Sequence, residues 1–404
     1  MIKKILFVSR MPEKGFSGGR YNVILMAQAL SKLDYDVTLH ANAVPEFYDD
    51  LKATNDDKIH WFVRPFKSYL KDDFDLVIII PDFTDEPSPY FAALEAAHYA
   101  RAQVMMFCFE TPNFMAETID NVQDLSRWKY WEKAAEFCDV IFSCTKIGAG
   151  FAQSYFQHSP AEFVHIPPSI NDTALNNISA GPKEKRLVFI TRFGAHSDHK
   201  GNMDIRSFIN ENWSGYQFNL IRGCDVSQGK DVVDALKKQA RGYGIIINDM
   251  PLISDSEKFE ILTRSTATIF TTKFEGFGYP IIESFCADTP VIHYDLPIFH
   301  ETLPAKRYAC PIGDAGALEA LANTVCNLQP YDNHRPSALS EFDDIQSFYS
   351  IDAYGERIHT VIQGLKQKTN SNSELYSTGL ILPKNPLYRR VNDRIKGVLK
   401  TLST

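Results

Sequence analysis

The stretch "FEGFGYPIIESF", from Phe274 to Phe285, decides how the fold is interpreted. Two glycines, a proline and two glutamates surround the start of a helix that follows the apolar strand "ATIFTT". An ordinary strand-to-helix connection needs only a turn residue and a cap. In an open parallel sheet, ligands lie in the crevice at the carboxyl ends of the strands. The stretch therefore predicts a ligand site at the end of a parallel strand.

The residues at this helix start are suited to an anion. Gly276 and Gly278 allow backbone N–H groups to approach a ligand closely, because no Cβ is present. Pro280 suits the first helical position, and Glu283 is predicted in the first turn. A helix N-terminus carries about half an elementary positive charge, which favours phosphate. Glu283 and the loop residue Glu275 would then face hydrogen-bond donors such as sugar hydroxyls.

Two cations are expected at the same edge of the sheet. The strand "LVFITRF" ends near Arg192, and Lys200 follows in "HSDHKG". Both side chains can bind phosphate. Taken singly, Arg192 could form an inter-domain ion pair, Lys200 could be a solvated lysine, and Glu283 could simply complement the helix dipole. The flanking glycines and the order of the segments favour a binding site.

Strands alternate with helices in both halves of the 404-residue chain. This length suits two domains, and the alternation predicts mainly parallel sheets covered on both faces. We predict an α/β protein with two Rossmann-like domains facing each other across a cleft. The predicted segments are a first domain over 1–170, a linker over 171–185, a second domain over 186–345, a C-terminal helix over 346–368 that crosses back to the first domain, and a polar linker with a basic tail over 369–404.

Composition limits the classes of function. The longest apolar runs, such as "LVIII", are too short for a membrane span, and "MIKKILFVSR" fits a first strand better than a signal peptide. Seven cysteines without a C-x-x-C pair argue against a disulfide framework and a zinc site. The net charge of -8 opposes nucleic-acid binding. The sequence predicts a cytoplasmic protein with buried thiols and no nucleic-acid partner.

The basic tail over 386–402 leaves two alternatives open. It could lie on an anionic membrane surface, where each cation is worth about 1 kcal/mol, or its apolar stripe could dock on the protein itself. The stripe consists of Leu387, Val391, Ile395, Val398 and Leu402.

Several other patterns are interpreted as structural. The D-x-D patterns at Asp34 and Asp73 precede their strands and are predicted to be surface turns. The loop containing His196 and His199 is too local for a hydrolytic triad. Most aromatic residues near 107–131 are expected in the core, and only Phe114 is a candidate for an acceptor groove.

The stretch "EGFGYPIIE" resembles the E-x7-E motif of the retaining nucleotide-sugar glycosyltransferases of family 4, which have the GT-B fold. Five further segments resemble the family in the same order. Two departures occur: Pro168-Ser169 replaces an Asn-Gly pair, and Asp288 stands where a glycine is common. The five segments are "FSGGRYNVILMAQALSKLDYDVTLH", "CDVIFSCT", "VHIPPSIND", "ITRFGAHSDHKG" and "PIGDAGALEAL".

The resemblance implies a hexosyltransferase that uses a nucleotide-diphosphate sugar, with no metal and no cofactor. Glu283 would hold the ribose, Glu275 the donor sugar, and Arg192 and Lys200 the diphosphate. Gly18 and Gly19 would place first-domain backbone against the phosphate, although a simple turn is nearly as good an interpretation. The substrate-binding residues implied in the helix-start loop are Gly276, Phe277, Gly278 and Tyr279.

Glu110 departs from the family, which often has a histidine at this place. A carboxylate there could accept from a sugar hydroxyl or handle the acceptor's proton. The resemblance implies a glycan or glycolipid acceptor in surface polysaccharide or lipopolysaccharide synthesis, at the inner face of the membrane. The alternatives are an epimerase or hydrolase on the same fold, or a non-catalytic sugar-nucleotide-binding protein. A Rossmann dehydrogenase would need a G-x-G-x-x-G turn, which "SRMPEKGFSGG" does not match.

Overall fold

The computed structural model shows two parallel β-sheets, one of seven strands and one of six, each covered by helices. Among the described residues, no helix is both long enough and apolar enough to span a membrane. The described residues are 2–54, 58–66, 70–119, 122, 126–179, 181–193, 198–225, 227–302, 308–327 and 345–365.

The first sheet has the strand order β3-β2-β1-β4-β5-β6-β7, with all neighbours parallel. Every residue of β4 is buried, as expected of a strand covered on both faces. The strands are β1 Lys4–Ser9, β2 Asp36–Ala41, β3 His60–Val63, β4 Leu76–Ile80, β5 Gln103–Phe107, β6 Val140–Ser143 and β7 Glu162–His165.

The helices of the first half pack on this sheet, and a short helix follows in the connection to the second half. The first helix begins at Gly18. The helices are α1 Gly18–Lys32, α2 Tyr48–Thr54, α3 Ser88–Ala100, α4 Pro112–Met115, α5 Trp128–Ala135, α6 Lys146–Tyr155 and α7 Asp172–Asn176.

The second sheet has the order β10-β9-β8-β11-β12-β13 and is also parallel. Its strands are β8 Glu184–Thr191, β9 Gln217–Arg222, β10 Ile246–Pro251, β11 Ser265–Phe270, β12 Val291–Tyr294 and β13 Ala309–Cys310. Its helices are α8 Lys230–Arg241, α9 Asp255–Arg264, α10 Tyr279–Cys286, α11 Phe299–Thr302 and α12 Ala315–Asn327, with 3-10 turns at Asp198–Lys200, Asn202–Phe208 and Glu211–Trp213.

The last described helix, α13 (Ile351–Gly364), packs on α1 of the first half. A Cβ added at Gly355 would lie 3.0 Å from the carbonyl oxygen of Ala29, so the two helix backbones approach closely. The Tyr35 hydroxyl and His359 Nδ1 lie 2.8 Å apart at the same interface. The end of the described chain is thereby held against the first half.

Each sheet has one point where the strand order reverses, between β1 and β4 and between β8 and β11. Ligands of open α/β sheets bind at the carboxyl ends of the strands at such points. The two halves meet at these edges, since α1 begins after β1 and contacts the loop that follows β11. The architecture is two Rossmann-like domains facing each other across a cleft, as predicted.

Candidate functional site

The two predicted cations lie at the reversal point of the second sheet. Strand β8 ends at Thr191, and the exposed Arg192 follows it directly. The Asn202 side-chain amide donates to the Arg192 carbonyl oxygen at 2.7 Å. The Thr271 hydroxyl, just past β11, donates to the Lys200 carbonyl oxygen at 2.8 Å. Arg192 and Lys200 therefore lie at the carboxyl ends of β8 and β11, the two strands that flank the crevice.

Gly201 makes this attachment possible. Its φ is +62°, in the left-handed region that glycine adopts readily. A Cβ there would lie only 2.1 Å from the Thr271 carbonyl oxygen. The backbone at Gly201 can therefore lie this close to the end of β11 only because the residue has no side chain.

Glu275 forms an ion pair with Lys200 through its Oε1. The two side chains are 15% and 20% exposed, so the pair lies at the rim of the crevice with limited access to water. The predicted sugar-contacting carboxylate and the predicted phosphate-binding lysine are direct neighbours.

Helix α10 begins one residue earlier than the sequence suggested. Gly278, with φ +89°, caps the helix in the left-handed conformation, and a Cβ there would lie 2.6 Å from the Phe299 ring. Tyr279 is thus the first helical residue and Pro280 the second. Glu283 is the fifth residue of the helix. The predictions that Pro280 is first and that Glu283 lies in the first turn are wrong, because the cap ends the loop at Gly278.

Glu283 is buried, with 3% of its surface exposed, and its Oε1 accepts from Lys258 Nζ at 2.7 Å. Burial raises the pKa of Glu283, although the charge of Lys258 acts in the opposite direction. Lys258 also donates to Asp255 Oδ1 at 2.7 Å. Burial opposes the charge of Lys258, but the two carboxylates outweigh it and raise its pKa. The ribose-binding candidate therefore belongs to a buried charge cluster.

The first domain contributes the start of α1. A Cβ at Gly18 would lie 3.8 Å from Tyr279 Cδ2, and one at Gly19 would lie 2.9 Å from Phe109 Cε2. The Tyr279 ring packs edge-on against Tyr21, with centroids 5.7 Å apart. The N-termini of α1 and α10 therefore meet across the cleft, and both can present partial positive charge to an anion.

Phe277, in the loop before α10, makes two further aromatic contacts inside the protein. Phe277 is buried and packs against Tyr279 and Tyr349, with centroids 5.1 and 6.0 Å away. Its side chain therefore anchors the loop in the core, while its backbone remains part of the helix-start segment.

Glu110 reaches the site from the end of β5. Its carboxylate lies against the Gly276 backbone, since a Cβ added at Gly276 would lie 2.6 Å from Glu110 Oε1. Burial and the nearby charge of Glu275 raise the pKa of Glu110, while Lys200 and Arg192 act against this rise. Two carboxylates and two cations from both domains thus converge around the loop before α10.

Other candidates are placed elsewhere. Phe114 is 8% exposed and packs between Phe151 and Phe274, with centroids 4.6 and 5.1 Å away, so it fills a domain contact and does not line an open groove. Asp75 accepts from the backbone N–H groups of Lys3 and Lys4 at the start of the first strand. His196 and the tail over 386–402 lie outside the described residues. Within the described ranges, no cluster of three or more His, Cys, Asp or Glu could hold a metal ion.

Four residues of the buried cluster were not found from the sequence: Tyr21, Asn171, Asp255 and Lys258. The Tyr21 hydroxyl and the Asn171 amide donate to Asp255 Oδ2 at 2.6 and 2.9 Å. One signal was available, since "SDSE" is a capping sequence, and Ser254 and Glu257 do form a capping box at the start of α9. No local pattern shows that Lys258 points inward.

The fold defined here, two Rossmann-like domains around a cleft, is the GT-B fold. HepE of Anabaena, solved in complex with UDP and glucose, superimposes with a TM-score of 0.65 at 12% identity, covering 90% of this chain and all of that one. WaaG, a glycosyltransferase involved in lipopolysaccharide biosynthesis, gives 0.61 at 12% identity, covering 89% and 100%. These similarities establish the fold alone.

Sequence comparison gives a partial match. No family model matches the chain. The O-antigen chain mannosyltransferase RfbU of Salmonella typhimurium is 30% identical over 178 residues, which cover 42% of this chain and 45% of that protein. The match spans less than half the length of that relative.

Proposed function

We propose that this chain is a retaining glycosyltransferase of the family 4 type, which transfers a hexose from a nucleotide-diphosphate sugar to a glycan acceptor. The observation that supports this most is the convergence of Arg192, Lys200, Glu275 and the start of α10 at the reversal point of the second sheet. Glu110 and the start of α1 lie opposite. An anion and hydroxyl groups are the ligands that such a site suits.

The diphosphate of the donor would lie between Arg192, Lys200 and the start of α10. Negative charge develops on this group as it leaves, and fixed cations and N–H groups stabilise it most effectively in a site with little water. Arg192 is exposed, and the Thr271 hydroxyl holds the backbone of Lys200 at the end of β11. We infer a reaction that uses these side chains in place of a metal.

Transfer with retention can proceed on one face of the sugar. The bond between the anomeric carbon and the phosphate oxygen breaks, and the acceptor oxygen bonds to the same carbon. The acceptor's proton passes to the departing phosphate, so no protein nucleophile is required. Glu275 and Glu110 would flank the donor sugar, and Glu110 would exchange its Gly276 contact for a sugar hydroxyl. Glu283 would accept from the ribose.

The acceptor is proposed from the relatives. RfbU is named an O-antigen chain mannosyltransferase, and WaaG acts in lipopolysaccharide biosynthesis. We infer a lipid-linked glycan of surface polysaccharide or lipopolysaccharide as acceptor. Reaction at the cytoplasmic face of the membrane, with the basic tail over 386–402 near anionic lipid, fits this acceptor.

Thermal unfolding with UDP, GDP, ADP and their sugars tests the proposal. One nucleotide should raise the unfolding midpoint of the parent, and Arg192→Ala or Glu283→Ala should reduce that rise. Arg241→Ala, at an exposed position on α8, is the matched control. Stabilisation that survives both site substitutions unchanged would contradict the assignment. Product analysis with and without a glycan acceptor separates transfer from hydrolysis and epimerisation.

A further inference from the structure

A chain of hydrogen bonds connects the first domain to the buried carboxylate of the second. The Tyr21 hydroxyl, on α1, donates to Asp255 Oδ2 at 2.6 Å. Asp255 Oδ1 accepts from Lys258 Nζ at 2.7 Å, and the same Nζ donates to Glu283 Oε1 at 2.7 Å. Asn171, in the connection between the domains, adds a bond to Asp255 at 2.9 Å. This series of hydrogen bonds therefore runs from one domain to the proposed nucleotide site of the other.

The cluster is strongly desolvated. Asp255, Lys258 and Glu283 are 6%, 7% and 3% exposed. One lysine faces two carboxyl groups, and the neutral donors Tyr21 and Asn171 add hydrogen bonds to Asp255. A buried charge that loses a partner is costly, so each member constrains the position of the next.

The hydrogen bond from Lys258 occupies one of the two carboxylate oxygens of Glu283. Lys258 bonds Oε1, and Oε2 has no hydrogen-bond partner among the residues that the structure describes. One fixed oxygen and one unpaired oxygen suit a carboxylate that must accept from a ligand hydroxyl in a defined direction. The lysine holds one carboxylate oxygen in place, and the second is the oxygen that a ligand hydroxyl would have to reach.

We propose that Tyr21, Asp255 and Lys258 are positioning residues that make ribose recognition by Glu283 depend on contact between the two domains. This inference rests on the proposed function. When the domains separate, Asp255 loses the Tyr21 hydroxyl and attracts Lys258 more strongly, which weakens the hold of Lys258 on Glu283. Binding of the ribose and closure of the cleft then favour each other, since coupling between two events is reciprocal.

Tyr21→Phe isolates the coupling, because the ring and its packing against Tyr279 and Phe16 are retained and only the hydroxyl is lost. Tyr35→Phe is the matched control, since it removes a hydroxyl that bonds His359 on α13, away from the Tyr21–Asp255 contact. Calorimetry gives the Kd of UDP, GDP and ADP and of their 2′,3′-dideoxy forms for all three proteins. The ratio of the two Kd values measures the contribution of the ribose hydroxyls.

The parent should bind one ribonucleotide about tenfold or more tightly than its dideoxy form, as expected for hydrogen bonds to a charged group. Tyr21→Phe should lower this ratio about fivefold and leave the dideoxy Kd nearly unchanged. Tyr35→Phe should keep the parent's ratio. A merely structural role of Tyr21 would change both Kd values together and would overturn the inference.

The outcomes separate the two proposals. An unchanged ratio in Tyr21→Phe, or a parent that binds both forms equally, overturns the coupling and leaves nucleotide binding intact. A parent that binds none of the three nucleotides overturns the proposed function, and the inference with it.

Discussion

The carboxylate of Glu110, a residue of the first domain, packs directly against Gly276 in the loop that precedes α10 of the second domain. A Cβ at Gly276 would lie 2.6 Å from Glu110 Oε1. The absence of a side chain at 276 therefore lets the cleft close onto the loop. Glu110 is close enough to Glu275 and Lys200 for their charges to act on its carboxylate.

Glu110→Gln should change how stability depends on pH. Burial and Glu275 raise the pKa of Glu110 above the ordinary value of 4.5, so the folded state holds this proton more tightly than the unfolded chain. The stabilising contribution is complete below pH 4.5 and is lost as pH rises through the folded pKa. The free energy of unfolding of the parent, relative to the variant, should therefore fall as pH rises from 4.5 toward neutral.

Urea titrations across this pH range measure the difference. Glu260→Gln, at an exposed position on α9, is the control. A parent that gains stability relative to Glu110→Gln as pH rises would contradict the burial argument.

Lys200→Met should weaken both donor binding and transfer. The substitution removes the cation proposed to meet the leaving diphosphate and leaves Glu275 without its ion pair. Loss of one such contact typically reduces the rate by about 10² to 10³. Steady-state kinetics with the donor identified by thermal unfolding measure kcat and KM.

The control for this substitution is Lys230→Met, which breaks an exposed ion pair with Asp234 on α8. Its kinetic constants should equal those of the parent, and exposed pairs contribute about 0 to 1 kcal/mol to stability. Equal losses in the two variants would show that Lys200 has no special role.

Gly201→Ala should destabilise the fold. The residue has φ +62°, and the new Cβ would meet the Thr271 carbonyl oxygen at 2.1 Å, so backbone must move. Gly313→Ala has a similar φ of +79° but nothing within 4 Å, and it isolates the cost of the left-handed conformation. We expect about 1–2 kcal/mol for Gly313→Ala and clearly more for Gly201→Ala. Chemical denaturation of both variants tests this, and equal losses would be inconsistent with the contact.

His40→Phe should reduce sensitivity to acid. His40 is fully buried between Phe62 and Phe66, with ring centroids 4.9 Å away, and burial lowers its pKa to about 4. The folded state therefore disfavours the charged ring, and stability present above pH 6.5 is lost as pH falls toward 4. Through His40 the parent should lose about 3 kcal/mol of unfolding free energy over this pH range, and the variant should not show this part of the loss.

Unfolding free energies at pH 7 and pH 4 give the comparison. His158→Gln, at an exposed position, is the control. An identical acid response in the parent and His40→Phe would assign the loss to other groups.

The strands that sequence reasoning found are those with apolar runs, such as β4 and β8. It did not assign β3 or β7, which lie at the two edges of the first sheet. Both have exposed residues at each end and only partly buried centres. An edge strand is less buried than a central one, so its sequence lacks the continuous hydrophobic pattern.

The sequence by itself determined the alternation of strands and helices, the glycine-rich helix start and the cations at the strand ends. Each of these depends on residues close together in the chain. Only the tertiary structure decided that Lys258 bonds Glu283 and that Tyr21 completes the cluster across 234 residues of chain. The energy of buried charges depends on distance and desolvation. Neither quantity exists until the two domains are packed together.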